Sequence, residues 1–249
     1  MSLLMNFEYL LHTESETIKE SLSKHPAWFD HYHQLINCLF QVVYFVGEEK
    51  DVESDDGYYM AFAHSQLLKI PYTLRAETIL LERGFYLESA QLVRHILEVF
   101  VQLRFFNKYK ERLNKYVLKK EKITLKTMFN EFNSNLYITM YYALSEAAHG
   151  NFGSTVYRTI YKSATEGTTI MGSNYNAMFS NYILNQLIPL TYGIINFIPI
   201  FFRYYKDLVH PNIESNRESA LNELKKMMNS APKSEEFIKD IKPLIEYES

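Results

Sequence analysis

Three polar side chains, Arg94, Glu98 and Gln102, follow one another through an otherwise apolar stretch of the chain. Their spacing of four residues places them on one face of a helix. From 92 to 106 this helix is apolar nearly all round, which is typical of a helix at the centre of a bundle. A charge is costly to bury alone. The stripe therefore predicts either an ion pair that ties helices together or a polar pocket inside the bundle.

A second polar pair, Ser145 and His149, is also separated by four residues, and Gly150 follows at the expected end of that helix. A histidine in the last turn suits the helix dipole, so one interpretation is a side chain that bonds local carbonyl groups. The other interpretation places both side chains in the same pocket as Arg94 and Glu98. We expect His149 to meet the Arg94–Glu98 stripe across a helix–helix interface.

The runs Leu87–Glu98 and Leu144–His149 resemble the bacterial DUF5677-type family of uncharacterised helical proteins. In that pattern a helix with an R-x-x-x-E motif precedes a helix with an S-x-x-x-H motif. The resemblance covers about residues 60–200. It implies that four residues form the polar signature of the family: Arg94, Glu98, Ser145 and His149. The family has no established activity, so the resemblance supports a polar pocket and implies no substrate.

A third motif, Arg203 with His210, fits the spacing R-x6-H. It resembles the R-x4-6-H motif of HEPN-domain ribonucleases, which are helical bundles and often belong to toxin or defence systems. This pair lacks the polar residue that usually follows the arginine in that motif, because Tyr204 occupies that position. A ribonuclease would need the arginine and the histidine to converge near a basic surface, and 108–126 is the basic stretch that the chain offers.

Metal binding is a further alternative, because Glu146 and His149 form an E-x-x-H pair. Ferritin-like di-iron bundles use two such pairs with two more glutamates, and this chain has one pair. Its single cysteine, Cys38, can form neither an internal disulfide nor a multi-cysteine zinc site. The sequence therefore predicts no metal site and no cofactor, and the lone thiol fits a reducing cytoplasm.

The composition is that of a globular protein: 249 residues, 47% hydrophobic, with a net charge of −3. A near-neutral charge argues against a dedicated nucleic-acid binder. The first residues lack the basic region and cleavage site of a signal peptide. The stretch Ile183–Phe202 is long and apolar, but it contains asparagine, glutamine and proline. We expect it to be a buried helix of a soluble bundle rather than a membrane span.

Helical periodicity dominates the chain and predicts an all-α single domain, 1–249, of about seven or eight helices. Its core is expected over 26–210, with C-terminal appendage helices over 213–246. A β-branched and aromatic tract predicts a short β-hairpin near 154–172. The longer helices are predicted over 4–23, 27–49, 58–83, 86–109, 175–208 and 213–228, with short helices near 127–132 and 136–148.

These patterns favour a bacterial, cytoplasmic binding or regulatory module with a central polar pocket, of the kind found in stress or defence. Its partner would be a small ligand, another protein or a second copy of the chain, with no membrane. The alternative is a hydrolase, foremost a HEPN-like ribonuclease that uses Arg203 and His210 and binds nucleic acid. Whether the protein is an enzyme stays open at this stage.

Overall fold

Helices make up almost all of the chain that the computed structural model describes, which is residues 7–45, 54–148, 159–161, 167–169, 173–202, 205–230 and 235–246. The all-α class is therefore confirmed. The predicted number of seven or eight helices is too low, because the described ranges contain thirteen α-helical segments and one π-helical turn. Several of the additional segments are only one or two turns long, and apolar periodicity is a weak signal over so few residues.

The first five helices span the N-terminal part of the described chain. They are α1 Phe7–Lys24, α2 Pro26–Phe45, α3 Asp55–Leu67, α4 Lys69–Glu82 and α5 Tyr86–Lys108. Short segments follow: α6 Lys110–Val117, α7 Leu125–Asn130, α8 Ser134–Leu136, the π-helical turn Tyr137–Tyr142 and α9 Ala143–Ala148. The last four are α10 Ala177–Phe201, α11 Tyr205–Leu208, α12 Pro211–Ser230 and α13 Glu235–Ile245.

The single helix predicted over 58–83 is two helices, α3 and α4, separated at Leu68. Pro71 is the third residue of α4, where the missing N–H has no helical partner to lose. One continuous helix would press the proline ring against the carbonyl group of Leu67. The two helices are therefore separated three residues before the proline.

The start of α3 also differs from the prediction, since the predicted helix begins at 58 and residues 55–57 form the first turn of α3. The Ser54 hydroxyl accepts a hydrogen bond from the Gly57 N–H at 3.0 Å, which caps the helix. Asp55 and Asp56 then place negative charge at the positive end of the helix dipole.

In the region of the hairpin predicted near 154–172, the structure describes two short strands. Thr159–Tyr161 pairs antiparallel with Gly167–Thr169. The other residues of that region up to 172 lie outside the described residues. Strands of three residues build no sheet layer, so the architecture is a helical one.

The centre of the bundle is α5, which packs against α3, α4, α7, α9 and α10. Its apolar side chains are buried on nearly every face, as the sequence predicted for this helix. Such a helix can be stable only when other helices cover it on all sides.

The second central helix is α10, which packs against α5, α12 and α13. It ends at Phe201, earlier than predicted, because Phe202 has an extended backbone and the chain leaves the helix there. Among the described residues it is the one helix long and apolar enough to cross a membrane, yet 78% of its most apolar window is buried inside the fold. A Cβ atom on Gly193 would lie 2.7 Å from the Phe100 ring, so this glycine allows α5 and α10 to approach closely.

Candidate functional site

The predicted pair Arg94 and Glu98 is hydrogen-bonded and partly buried, as the apolar surroundings of the stripe predicted. The Arg94 Nε donates to Glu98 Oε1 at 2.9 Å, and the two side chains are 20% and 22% exposed. A second guanidinium nitrogen of Arg94 donates to the Tyr141 hydroxyl at 2.9 Å. The arginine therefore joins α5 to the π-helical turn and donates a hydrogen bond to each of its two partners, Glu98 and Tyr141.

Tyr141 is a member of this cluster that the sequence analysis missed. Its ring lies under the Arg94 guanidinium, with 4.9 Å between the guanidinium carbon and the ring centroid, and it stacks on Tyr137. Burial, and next the negative charge of Glu98, raise the pKa of its hydroxyl. A π-helical turn is a rare element that is frequent at functional sites, but no residue pattern in the sequence announced it.

Ser145 is buried, and its hydroxyl donates to the carbonyl oxygen of Tyr141 at 2.8 Å, one turn earlier in the chain. The hydroxyl is thus engaged by its own helix. His149 lies outside the described residues, so its expected contact with Glu98 stays a prediction. Of the four residues of the predicted cluster, the structure pairs Arg94 with Glu98 and uses Ser145 locally.

Replacing Arg94 by alanine is expected to lower the free energy of unfolding by about 1–2 kcal/mol. The loss is smaller than for a fully buried pair, because about a fifth of each side chain is in contact with solvent. Urea denaturation at pH 7 measures it, with Arg75→Ala at an exposed position of α4 as the control. Equal stability of Arg94→Ala and the control would show that the pair does not tie α5 to the π-helical turn.

The second predicted pair is only half described, because Arg203 lies outside the described residues. His210 is exposed, and its Nδ1 accepts a hydrogen bond from the Asn212 N–H at 3.2 Å. Its carbonyl oxygen accepts the N–H groups of Ile213 and Glu214. His210 thus caps the start of α12, a structural task that accounts for this histidine without catalysis.

The residues suggested as metal ligands are also described only in part. Within the described residues, no three His, Cys, Asp or Glu side chains are grouped as metal ligands would be. The Glu146 side chain and His149 lie outside them. Cys38 is 3% exposed, and burial raises the pKa of its thiol to about 12, so the thiol stays protonated and unreactive.

A buried carboxyl group that the sequence analysis did not single out lies between α4 and α5. Glu77 is fully buried, and its two oxygens accept hydrogen bonds from the hydroxyl groups of Ser89, at 2.6 Å, and Thr78, at 3.3 Å. Burial raises its pKa to about 8, so Glu77 is mainly protonated at pH 7. The sequence does indicate this burial, because Ile70, Leu74 and Leu81 form an apolar stripe at helical spacing. Position 77 belongs to the same stripe but is a glutamate.

A cleft of about 470 Å³ opens where the α1–α2 junction faces α10 and the end of α12. Sites for small molecules have volumes of roughly 300–1,000 Å³. The apolar part of the wall comes from Leu184 and Ile188 of α10 and from Met227 of α12. All three side chains are buried, so their positions in this wall are held by the packing around them.

The polar part of the wall comes mainly from the α1–α2 junction. His25 Nε2 lies 3.1 Å from the Tyr175 hydroxyl, and burial lowers the pKa of His25 so that its ring is neutral at pH 7. Lys24 supplies an ammonium group and Asn181 an amide. Among the described residues that line this cleft there is no aspartate or glutamate.

Trp28 lines the same cleft, and its side chain is 1% exposed. In the part of the chain that the structure describes, its indole N–H is buried without a hydrogen-bond partner. The other buried side-chain atoms in that condition belong to Ser21, Ser180 and Gln186, none of which lines the cleft. An unpaired buried donor costs about 1–3 kcal/mol, so an acceptor placed here would be favourable.

Comparison with protein-family models, with curated proteins and with solved structures gives no match for this chain. What the structure defines is an all-α bundle with a cleft of ligand size. The resemblance to the DUF5677-type family stays a prediction.

Proposed function

We propose that this protein is a non-enzymatic binding module and that the cleft between the α1–α2 junction, α10 and α12 is its ligand site. The observation that carries the proposal is Trp28: this residue lines a ligand-sized cleft, and its buried indole N–H has no hydrogen-bond partner among the described residues. A bound molecule with an acceptor would remove the free-energy cost of this donor.

The chemistry of the lining residues supports binding over catalysis. Where the structure describes the lining, it includes no carboxylate, cysteine or threonine. The Ser230 hydroxyl donates to the Lys226 carbonyl oxygen, and the neutral His25 is held by Tyr175. The ribonuclease alternative depends on Arg203 and on His210, which caps α12. A regulatory role in a bacterial cytoplasm, in stress or defence, is part of the same proposal.

A matched pair of substitutions in the first turn of α10 tests the site. Ala177 is exposed and lines the cleft, whereas Met178 is exposed and does not line it. We expect anilinonaphthalene sulfonate to bind with energy transfer from Trp28, the single tryptophan of the chain. Ala177→Phe should weaken its binding at least about tenfold and Met178→Phe should not. Absence of dye binding, or equal binding by the two variants, would contradict the proposal.

We also propose that the chain does not insert into a membrane, because α10 is mostly buried against α5, α12 and α13. The Asn196 amide, in the second half of α10, donates to the carbonyl oxygen of Ile245 at 3.4 Å. The untagged protein is expected in the supernatant after ultracentrifugation without detergent. Recovery only from the membrane pellet would show that α10 faces lipid instead of the bundle.

A further inference from the structure

We infer that the cleft selects an amphipathic anion, a molecule with one apolar tail and a small anionic head group. This inference rests on the proposed function of the cleft as a ligand site and goes further by assigning the chemical class of the ligand. It follows from how the polar and apolar lining residues are distributed around the cleft.

The tail would lie along α10. Ala177, Leu184 and Ile188 line the cleft from one face of that helix, with the Asn181 amide between the first two. Met227 of α12 lies across from these residues in the same wall and adapts readily to the shape of an apolar ligand. An apolar tail packed on these side chains would remove their remaining surface from water.

The head group would lie at the α1–α2 junction, where Lys24, His25 and Trp28 line the cleft within five residues of chain. The lysine ammonium and the indole N–H can only donate hydrogen bonds. The neutral His25 ring can also donate through one nitrogen. A head group that matches this set must accept hydrogen bonds.

The charges around the head-group end favour an anion over a neutral acceptor. Of the described residues in the lining, Lys24 is the one that carries a charge, and none of them is a carboxylate that would balance it. The lining includes Pro26 and Ala27, the first two residues of α2, and the start of a twenty-residue helix carries partial positive charge. Glu20 is close enough to help raise the pKa of Tyr175 but does not line the cleft.

The experiment compares three probes that share one tail: decanoate, decyl alcohol and decylammonium, each below its critical micelle concentration. Binding is followed by Trp28 fluorescence and by calorimetry. We expect decanoate to bind about tenfold more tightly than decyl alcohol, and decylammonium to bind most weakly. Lys24 is exposed, so Lys24→Gln should fold normally. It should reduce the affinity for decanoate to that for decyl alcohol and leave the alcohol unaffected.

Lys19→Gln is the matched control, since Lys19 is an exposed lysine of the same helix that does not line the cleft. Decyl alcohol or decylammonium binding as tightly as decanoate would overturn the inference, as would an unchanged preference in Lys24→Gln. Either result leaves the cleft a binding site. If none of the three probes binds and the dye does not bind either, the proposed function itself fails.

Discussion

The free energy of unfolding is expected to fall as the pH rises from about 5 to 8, and Glu77→Gln is expected to abolish most of that fall. Glu77 is fully buried and is hydrogen-bonded by two neutral hydroxyl groups. Burial raises its pKa to about 8 in the folded protein. In the unfolded chain Glu77 has the ordinary glutamate pKa of about 4.3.

The sign follows from proton binding. Between these two pKa values the folded state holds a proton that the unfolded state has released. Raising the pH through this window therefore favours unfolding, by up to about 1.4 kcal/mol per pH unit. Below about pH 4.3 the contribution of the protonated Glu77 to stability is fully present, and above pH 8 it is lost. The total is on the order of 3–5 kcal/mol for a carboxyl group buried as deeply as Glu77.

Urea denaturation of the wild type and of Glu77→Gln at pH 5.5 and pH 8.5 measures this effect. Glutamine is neutral at both pH values and keeps an oxygen that can accept the Ser89 hydroxyl. The variant should resemble the wild type at the lower pH and be the more stable protein at the higher pH. Glu218→Gln, at an exposed position of α12, is the control and should keep the wild-type pH dependence. Parallel pH profiles for wild type and Glu77→Gln would show that Glu77 does not hold a proton in the fold.

Replacing Arg217 by alanine is expected to lower the free energy of unfolding by about 2–4 kcal/mol. Its side chain is 11% exposed and donates to both Glu214 oxygens, with nitrogen–oxygen distances of 2.9 and 2.5 Å. A third contact, at 3.3 Å, reaches the carbonyl oxygen of Ile195 in α10. The Tyr205 hydroxyl donates to Glu214 at 2.6 Å, so the network joins α10, α11 and α12.

Without the guanidinium group, a partly buried carboxylate loses its cation and the Ile195 carbonyl loses a donor. Denaturation at pH 7 measures the loss, with Lys225→Ala on an exposed part of α12 as the control. The control should change stability by less than about 0.5 kcal/mol. Arg217→Lys keeps the charge but not the forked geometry, so an intermediate loss is expected. A loss in Arg217→Ala no greater than in the control would mean that the network does not secure α12.

The local features of this fold were readable in the sequence because they depend on neighbours within a few residues. The all-round apolar character of α5 predicted its central place. The i, i+4 spacing of Arg94 and Glu98 predicted an ion pair or a polar pocket, and the structure contains the ion pair. The third predicted helix, over 58–83, is broken in the structure. The break falls at Leu68 because a proline is tolerated in the first turn of a helix.

The partners of these residues across the fold were not readable. Tyr141 is 47 positions from Arg94, and the rare π-helical turn that carries it has no recognised pattern in the sequence. Glu77 interrupts an apolar stripe, which marked it as unusual, but its hydroxyl partner Ser89 is on the next helix. A sequence shows that such a buried polar side chain needs a hydrogen-bond partner, but it does not show which residue provides it.

By itself, then, the sequence determined the helical class, the central helix and the local ion pair on it. Only the tertiary structure decided that Lys24, His25 and Trp28 face α10 and α12 across a cleft. The physical reason is that helical periodicity fixes which side chains share a face, within one element. Which faces meet, and where they leave a space, depends on how ridges and grooves of distant helices pack together, and that is a property of the whole fold.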